Sequence, residues 1–229
     1  MIPWRPVGPY SVAFTTRNGG VSEGPYTSLN LGGHRDEPSA IAENRRRACH
    51  EVGGDPSRLA VNRQRHTALV HHARDVSDAL EGDGIWVDEP NVPILALTAD
   101  CVPIAIARLG NVEPRLAVVH AGWRGLAQGV VANAVETLGK GPFQAMIGPA
   151  VGPCCYEVGP EVSELFDADL TTARHLDLWS AAERALRRAG VDTIERTDLC
   201  TKCNPALFFS HRRDGEVRGV QGVIGAITS

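Results

Sequence analysis

The stretch TADCVPIAIARLGNVEPRLAVVHAGWRG, residues 98–125, decides the predicted fold because it contains two apolar runs joined by a polar connector. This pattern is typical of a β-hairpin, and Gly110-Asn111 is the natural turn. If the turn is centred there, Cys101 lies directly opposite His120, with their Cβ atoms about 4.5–5.5 Å apart. The sequence therefore predicts a thiol beside an imidazole at one end of a buried hairpin.

The rest of the chain mixes strands and helices without a strict βαβ alternation. We predict strands at YSVAFTTR (10–17) and around LAVN, GIWV, PILALT, FQAMIG, TIERT, LFFS and GVQGVIG. Predicted helices are PSAIAENRRRACHE from Pro38, GLAQGVVANAVETLG (125–139), PEVSELF from Pro160, and LDLWSAAERALRRAG. The mixture predicts an α+β fold, a single domain over residues 1–229 with mixed β-sheets flanked by helices.

Composition bounds the partners and the compartment. The 229 residues carry a formal net charge of -4, so no basic field indicates nucleic acid or an anionic membrane surface as a partner. The start, MIPWRPVGPYSVAF, lacks the apolar core of a signal peptide, and no apolar run approaches the ~18 residues of a spanning helix. Six cysteines are then expected to be reduced thiols. We expect a cytoplasmic, soluble monomer.

The Cys101–His120 pair has two chemical interpretations. It is either a nucleophile with its base, or part of a metal site that needs a third ligand. His66, His71 and His72 cluster in RQRHTALVHHARDV (63–76), and one of them could complete a catalytic-type zinc site. Inert packing of a buried cysteine is the alternative to both interpretations.

Other candidate groups surround this pair. Asp100 and Asp83 are candidates for proton transfer or for orienting a ligand, and either could instead cap a turn. Cys200 and Cys203 form a lone CxxC, and the adjacent Cys154-Cys155 does not have the usual knuckle spacing, so the sequence does not predict a second metal.

Four arginines are placed where they could clamp an anion. Arg17, Arg124 and the Arg212-Arg213 pair are predicted at strand ends or turns, where guanidinium groups bind phosphate or carboxylate. Each could equally be a solvated charge. The sequence contains neither a phosphate-binding loop nor a dinucleotide fingerprint.

Seven blocks of the sequence resemble blocks of one known family, and they occur in the same order. They are TTRNGGVS (15–22), SLNLGGH (28–34), ENRRR (43–47), TADCVPI (98–104), VHAGWRGL (119–126), GPAVGPCCYEVGPEV (148–162) and FFSHRRDG (208–215). They are similar to the laccase-domain, or multicopper polyphenol oxidase-like, family. That family is also described as purine nucleoside phosphorylases and includes the peptidoglycan editing factor. The resemblance covers nearly the whole chain, and HAGWRG and CCYEVG are its most specific parts.

The resemblance implies a metal site of His66, Cys101 and His120. The match at His66 is imperfect, because Arg65 and Thr67 stand where the family usually has Val and Gly; His71 or His72 is the fallback. Zn²⁺ is implied more than copper, because three such ligands lack the axial arrangement of blue copper. The implied fold is that of mixed sheets with helices, related to deamidating-toxin cysteine hydrolases.

The resemblance also implies an activity. The family phosphorolyses adenosine, inosine, guanosine and methylthioadenosine and deaminates adenosine, so the expected partners are a purine nucleoside and phosphate. Cys101, His120 and Asp100 are the expected catalytic residues, and Arg17, Arg124 and Asn30 the expected substrate-binding residues. The alternatives are hydrolysis of L-serine-containing muropeptide precursors, a Cys101/His120 thiol hydrolase, a copper polyphenol oxidase, and a metal-stabilised binding module without catalysis.

Overall fold

Two β-sheets contain most of the strands of the computed structural model, which describes residues 1–33, 35–77 and 79–228. His34, the last residue of the SLNLGGH block, lies outside the described residues. The strands are β1 (Ile2–Trp4), β2 (Tyr10–Phe14), β3 (Ala60–Val61), β4 (Val70–His72), β5 (Gly84–Val87), β6 (Ile94–Thr98), β7 (Val102–Arg108), β8 (Leu116–Ala121), β9 (Phe143–Ile147), β10 (Thr171–Thr172), β11 (His175–Leu176), β12 (Thr193–Arg196) and β13 (Gln221–Ile227).

The sheets are both mixed. One has the order β1-β2-β13-β6-β3 and the other β12-β9-β7-β8-β5-β4, while β10 and β11 form a separate pair. In the five-stranded sheet β3 and β6 are parallel, and in the six-stranded sheet β4–β5 and β9–β12 are parallel pairs. The other neighbouring strands of both sheets are antiparallel. The predicted α+β class with mixed sheets is thereby confirmed.

The helices lie outside the sheets. They are α1 (Pro38–Glu51), α2 (Trp123–Ala127), α3 (Val130–Leu138), α4 (Pro160–Ser163), α5 (Leu178–Arg188) and α6 (His211–Asp214), and four single 3-10 turns cover Gly24–Tyr26, Pro56–Arg58, Ala73–Asp75 and Ala168–Leu170. The longest, α1, has 14 residues. No helix within the described residues is both long and apolar enough to cross a bilayer.

Three apolar clusters define four layers. Alternate side chains of a strand point to opposite faces, so Ile104 and Ile106 of β7 pack under α2, α3 and α5. Ala105 and Ala107 face the space between the two sheets, where Phe14 of β2 is fully buried. The outer face of the five-stranded sheet is covered by α1. The order is therefore helix, sheet, sheet, helices.

The predicted hairpin exists, but its register differs. β7 and β8 pair so that Pro103 lies opposite His120, two residues from the predicted pairing. The turn is centred one residue later than predicted, between Asn111 and Val112, because the Arg108 amide donates to the Arg115 carbonyl at 3.0 Å. A slip of two residues leaves each side chain on its original face. Cys101 therefore continues opposite Gly122, and His120 is its diagonal neighbour.

Two element predictions are wrong. The segment 125–139 is not one helix: it breaks at Gly129, whose φ of 87° is left-handed, so α2 and α3 are separate. LFFS is not a strand, because Phe208 and Phe209 lie in an irregular segment between a turn and α6. Both phenylalanines are fully buried, which explains their strand-like apolarity.

Candidate metal centre

His66, Cys101 and His120 come together from three segments. His66 lies in the loop after β3, Cys101 between β6 and β7, and His120 in β8. One ligand atom from each lies within 4.8 Å of the others, and Cys101 Sγ is 3.8 Å from His66 Nε2. Gly122 permits this approach, because a Cβ there would lie 2.8 Å from His66 Cδ2 and 3.0 Å from Cys101 Sγ. We call these three residues the triad.

Asp83, fully buried before β5, orients both histidines. Its Oδ1 accepts from the His66 amide at 3.0 Å and is 2.8 Å from His120 Nδ1. Its Oδ2 accepts from the amides of Arg65 and Thr67 and from the Thr67 hydroxyl. His66 has a φ of 61°, so its loop forms a concave nest of amides around the carboxylate. Because Nδ1 of His120 is occupied, Nε2 is the nitrogen available to a ligand.

Gln64 ties the same loop to β6. Its Nε2 donates to the Leu97 carbonyl at 2.6 Å, and its Oε1 accepts from the Leu97 amide at 2.7 Å. These two hydrogen bonds fix the loop against β6, and so they fix the position of His66, two residues after Gln64.

Charge is coupled across the triad. Burial opposes ionisation of Cys101, but the neighbouring His120 and His66 outweigh it and lower the thiol pKa. Burial likewise opposes the charge on His120, yet Cys101 and Asp83 raise its pKa. Hydrogen bonds from His120 and Thr67 overcome burial and lower the pKa of Asp83 to about 2. Without a metal, the site favours a thiolate beside an imidazolium.

A cavity of about 620 Å³ opens over the triad. Its volume suits a small organic ligand. The polar residues that line it besides the triad are Asn62, Arg63, Gln64, Thr98, His211 and Arg218. The Arg218 Nε is buried and finds no hydrogen-bond partner among the described residues. Burial also lowers the pKa of Arg218. Its Nη1 donates to the Gly215 carbonyl at 2.9 Å, and the N–H groups that remain are suited to an anion.

Asp100 is adjacent to Cys101 in the chain but is bonded elsewhere. Its Oδ1 accepts from the Thr201 hydroxyl at 2.5 Å, and its Oδ2 from the Arg212 amide at 2.6 Å. Its carbonyl accepts from Val151 N, and its φ is 93°. The two carboxylate contacts favour a role in holding the Cys101 loop rather than in proton transfer.

Arg17, Asn30 and Arg124 are not among the residues that line the cavity. Arg17 donates to the carbonyls of Thr27 and Pro205 and lies over the Phe209 ring. Asn30 is fully buried and bonds Asp36 and the Val220 amide. Arg124 lies over the ring of its neighbour Trp123. The structure thus does not bring the three expected substrate-binding residues to the triad.

The other sequence candidates are also engaged away from the triad. His71 Nε2 contacts the Glu81 carbonyl and His72 Nε2 contacts Asp88, so neither fallback ligand joins the triad. Arg212 lies over Tyr156, and Arg213 pairs with Asp214. The sequence analysis did not single out Arg63 and Arg218, because each is an isolated arginine without a local pattern. The one sequence signal for Arg63 is its position just before Gln64.

Comparison with known proteins identifies the class to which this fold and site belong. The family described as multi-copper polyphenol oxidoreductase laccase matches residues 11–227, and the chain belongs to that family. A purine nucleoside phosphorylase of Pseudomonas aeruginosa is 39% identical over 215 residues, covering 87% of this chain and 86% of the relative. Purine nucleoside phosphorylase YfiH of Escherichia coli is 36% identical over 214 residues, covering 87% of each.

Solved structures agree with the sequence relatives. A Neisseria meningitidis protein superposes with a TM-score of 0.87 at 32% identity, covering 98% of this chain and 96% of that one. YlmD from Geobacillus stearothermophilus gives a TM-score of 0.86 at 32% identity, with 96% and 93% covered. The sequence relatives are named as enzymes, which supports an enzymatic function that acts on small molecules.

Proposed function

We propose that this chain is a zinc-dependent purine nucleoside phosphorylase that uses the triad and the cavity above it. The observation that carries the proposal is that one cavity is lined both by a His/Cys/His set and by Arg218, whose buried Nε has no hydrogen-bond partner among the described residues. The names of the relatives supply the substrate class. Adenosine, inosine, guanosine and methylthioadenosine are the proposed nucleosides.

The donors of the triad fit Zn²⁺. One thiolate and two imidazoles are ligands that zinc prefers, and three protein ligands with an open position are typical of catalytic zinc. A blue-copper site usually adds a long axial methionine. The chain has two methionines, and Met1 and Met146 pack in two apolar clusters away from the triad. We therefore propose zinc rather than the copper of the family name.

The residues around the cavity would have different roles in phosphorolysis. His66, Cys101 and His120 would hold the metal, which when bound supplies a Lewis acid. Asp83 orients the imidazole of His120 and accepts a hydrogen bond from the backbone amide of His66. Arg63 and Arg218 would bind phosphate, because guanidinium groups match its oxygens.

In the proposed reaction, a phosphate oxygen forms a bond to C1′ of the ribose while the bond from C1′ to the purine nitrogen breaks. The proton of the phosphate ends on the departing base. Asp100 would serve as a positioning residue that holds the Cys101 loop.

Deamination of adenosine in the same cavity is a further proposed activity, by analogy with zinc deaminases. The unpaired cysteines fit the reducing conditions of the cytoplasm, where we propose that the enzyme acts as a monomer.

The test is incubation of the purified protein with each nucleoside, with and without phosphate, followed by chromatography and metal analysis. Free base and ribose 1-phosphate that form only with phosphate support phosphorolysis, and inosine formed from adenosine without phosphate supports deamination. No turnover of any nucleoside by zinc-loaded protein would overturn the proposal.

Arg218 gives a sharper prediction. Arg218→Ala should raise the KM for phosphate at least ~10-fold, because a charge-assisted hydrogen bond contributes about 1.5–3 kcal/mol. Arg218→Lys should recover part of this loss. The matched control, Arg174→Ala, removes an arginine paired with Glu157 on the surface. An unchanged phosphate KM in Arg218→Ala, measured by steady-state kinetics, would remove Arg218 from the anion site.

A second candidate function rests on the same atoms. Cys101, His120 and Asp83 have the order of nucleophile, base and orienting carboxylate found in thiol hydrolases. Iodoacetamide labelling separates the two. Cys101 that reacts in metal-free protein but is protected in zinc-loaded protein supports the metal site. Equal reaction in both states favours the thiol hydrolase.

A further inference from the structure

Four cysteines from two distant segments meet on the far side of the Asp100 loop. Cys154 and Cys155 lie in the GPAVGPCC loop after β9, and Cys200 and Cys203 follow β12. Their four sulfur atoms lie within 4.8 Å of one another. The sequence did not predict this meeting, because the spacing of adjacent cysteines is unusual for a metal knuckle. We call this set the four-cysteine cluster.

The distances between the sulfur atoms indicate a metal rather than a disulfide. Cys203 Sγ is 3.7 Å from Cys154 Sγ and 3.4 Å from Cys155 Sγ. A disulfide requires about 2.05 Å between the sulfur atoms. Four thiolates at the usual zinc–sulfur distance of ~2.3 Å form a tetrahedron with an edge of ~3.8 Å. We propose that the four-cysteine cluster binds a second, structural Zn²⁺.

A backbone amide supports one of the sulfur atoms, as amides do in metal knuckles. The Gly152 amide donates to Cys200 Sγ at 3.3 Å. Hydrogen bonds of this kind orient a thiolate ligand and tune its donor strength. Cys200 is buried, whereas Cys154 and Cys203 are exposed, so zinc can enter from solvent. Four protein ligands leave no open position, which is typical of structural zinc.

The cluster ties together the backbone that holds the Cys101 loop. Ala150 forms a parallel bridge with Cys200, and the Thr201 amide donates to the Ala150 carbonyl at 3.0 Å. Val151 N and the Thr201 hydroxyl then bond Asp100, the residue before Cys101. Zinc in the cluster would therefore stabilise the framework of the triad without contacting substrate.

The experiment is measurement of zinc per chain by native mass spectrometry of the full protein, purified under reducing conditions. The triad and the cluster are two separate groups, so we expect two zinc ions per wild-type chain. Cys203→Ser should lose one ion and lower the Tm. Cys101→Ser should lose the other ion. The matched control, Cys49→Ala, removes a buried cysteine outside both groups and should keep both ions. Unchanged zinc content in Cys203→Ser would overturn the proposal.

A second measurement needs no variant and covers the case in which Cys203→Ser does not fold. Iodoacetamide should leave the four cysteines unmodified in wild-type protein and alkylate them after a chelator removes zinc, as read by peptide mapping. Free alkylation of Cys154 and Cys203 before chelation, or a disulfide between cluster cysteines, would overturn the proposal. Because the triad ion is followed separately, failure of the cluster leaves the proposed phosphorylase function standing.

Discussion

Asp83 is the residue on which the geometry of the triad depends most. Its carboxylate accepts hydrogen bonds from the loop of His66 and contacts His120, and its backbone carbonyl accepts from the His120 amide. An amide in its place offers one acceptor oxygen instead of two and turns an NH₂ towards the amides of Arg65 and Thr67. The sequence singled out Asp83, but several distant segments had to be placed before its role could be assigned.

Asp83→Asn should weaken metal binding about 10–100-fold, as outer-shell changes usually do. A lowered pKa means that Asp83 stabilises the metal-free fold at neutral pH, and that this stability disappears as the pH falls from the ordinary carboxyl range towards about 2. The shift corresponds to roughly 2 kcal/mol. Urea unfolding of the metal-free proteins should show this acid-dependent loss in the wild type and not in the variant. Parallel pH profiles for the two proteins would contradict the assignment.

Element-scale features show what apolar patterns can and cannot predict. The hairpin of β7 and β8 was predicted from its two apolar runs, but its register was not. The ends of its connector are set by the hydrogen bond between Arg108 and Arg115 and by Pro142, whose carbonyl accepts from the Leu109 amide. Because the register differs from the predicted one by two residues, His120 stays on the same face as Cys101 and close to it. LFFS was mistaken for a strand because complete burial, rather than sheet formation, explains its phenylalanines.

Helix α5 offers a prediction at this scale. Asp177 caps it, because its carboxylate accepts from the Ser180 amide at 3.0 Å. Asp177→Ala should lower the free energy of unfolding by about 0.5–2 kcal/mol, and Asp177→Asn should recover most of this stability. Chemical denaturation measures both. Since no residue of α5 lines the cavity, nucleoside turnover by the folded variant should not change. A selective loss of turnover would contradict this separation.

At the scale of the molecule, the apolar layer between the two sheets joins both halves of the site. β6 of one sheet leads into Cys101, while β7 and β8 of the other hold it opposite Gly122. The sequence predicted the class of fold and, with the family resemblance, the three residues that meet in the triad. It did not predict Arg63, Arg218 or the four-cysteine cluster, because these depend on how distant loops converge. The single domain over residues 1–229 and the monomeric state stay predictions.

Substitution of Phe14 tests whether the apolar layer between the two sheets is a common core. It is fully buried between the sheets and packs against Gly148, where a Cβ would lie 2.0 Å from its ring. Phe14→Ala should cost about 3–5 kcal/mol. Thermal unfolding should remain one transition, with far-UV and tryptophan signals coinciding. Val7→Ala, at a residue 73% exposed, is the control and should change stability by less than about 0.5 kcal/mol. Separate transitions for the two signals in Phe14→Ala would contradict a common core.

We propose that the triad metal and phosphorolysis belong to one site. The most direct measurement is phosphate-dependent release of base from inosine by wild-type, Cys101→Ser and Cys49→Ala proteins, with zinc per chain determined on the same samples. We expect Cys101→Ser to lose the triad zinc and at least ~100-fold of the turnover together, while Cys49→Ala keeps both. Wild-type turnover by a Cys101→Ser protein that lacks this zinc would contradict it.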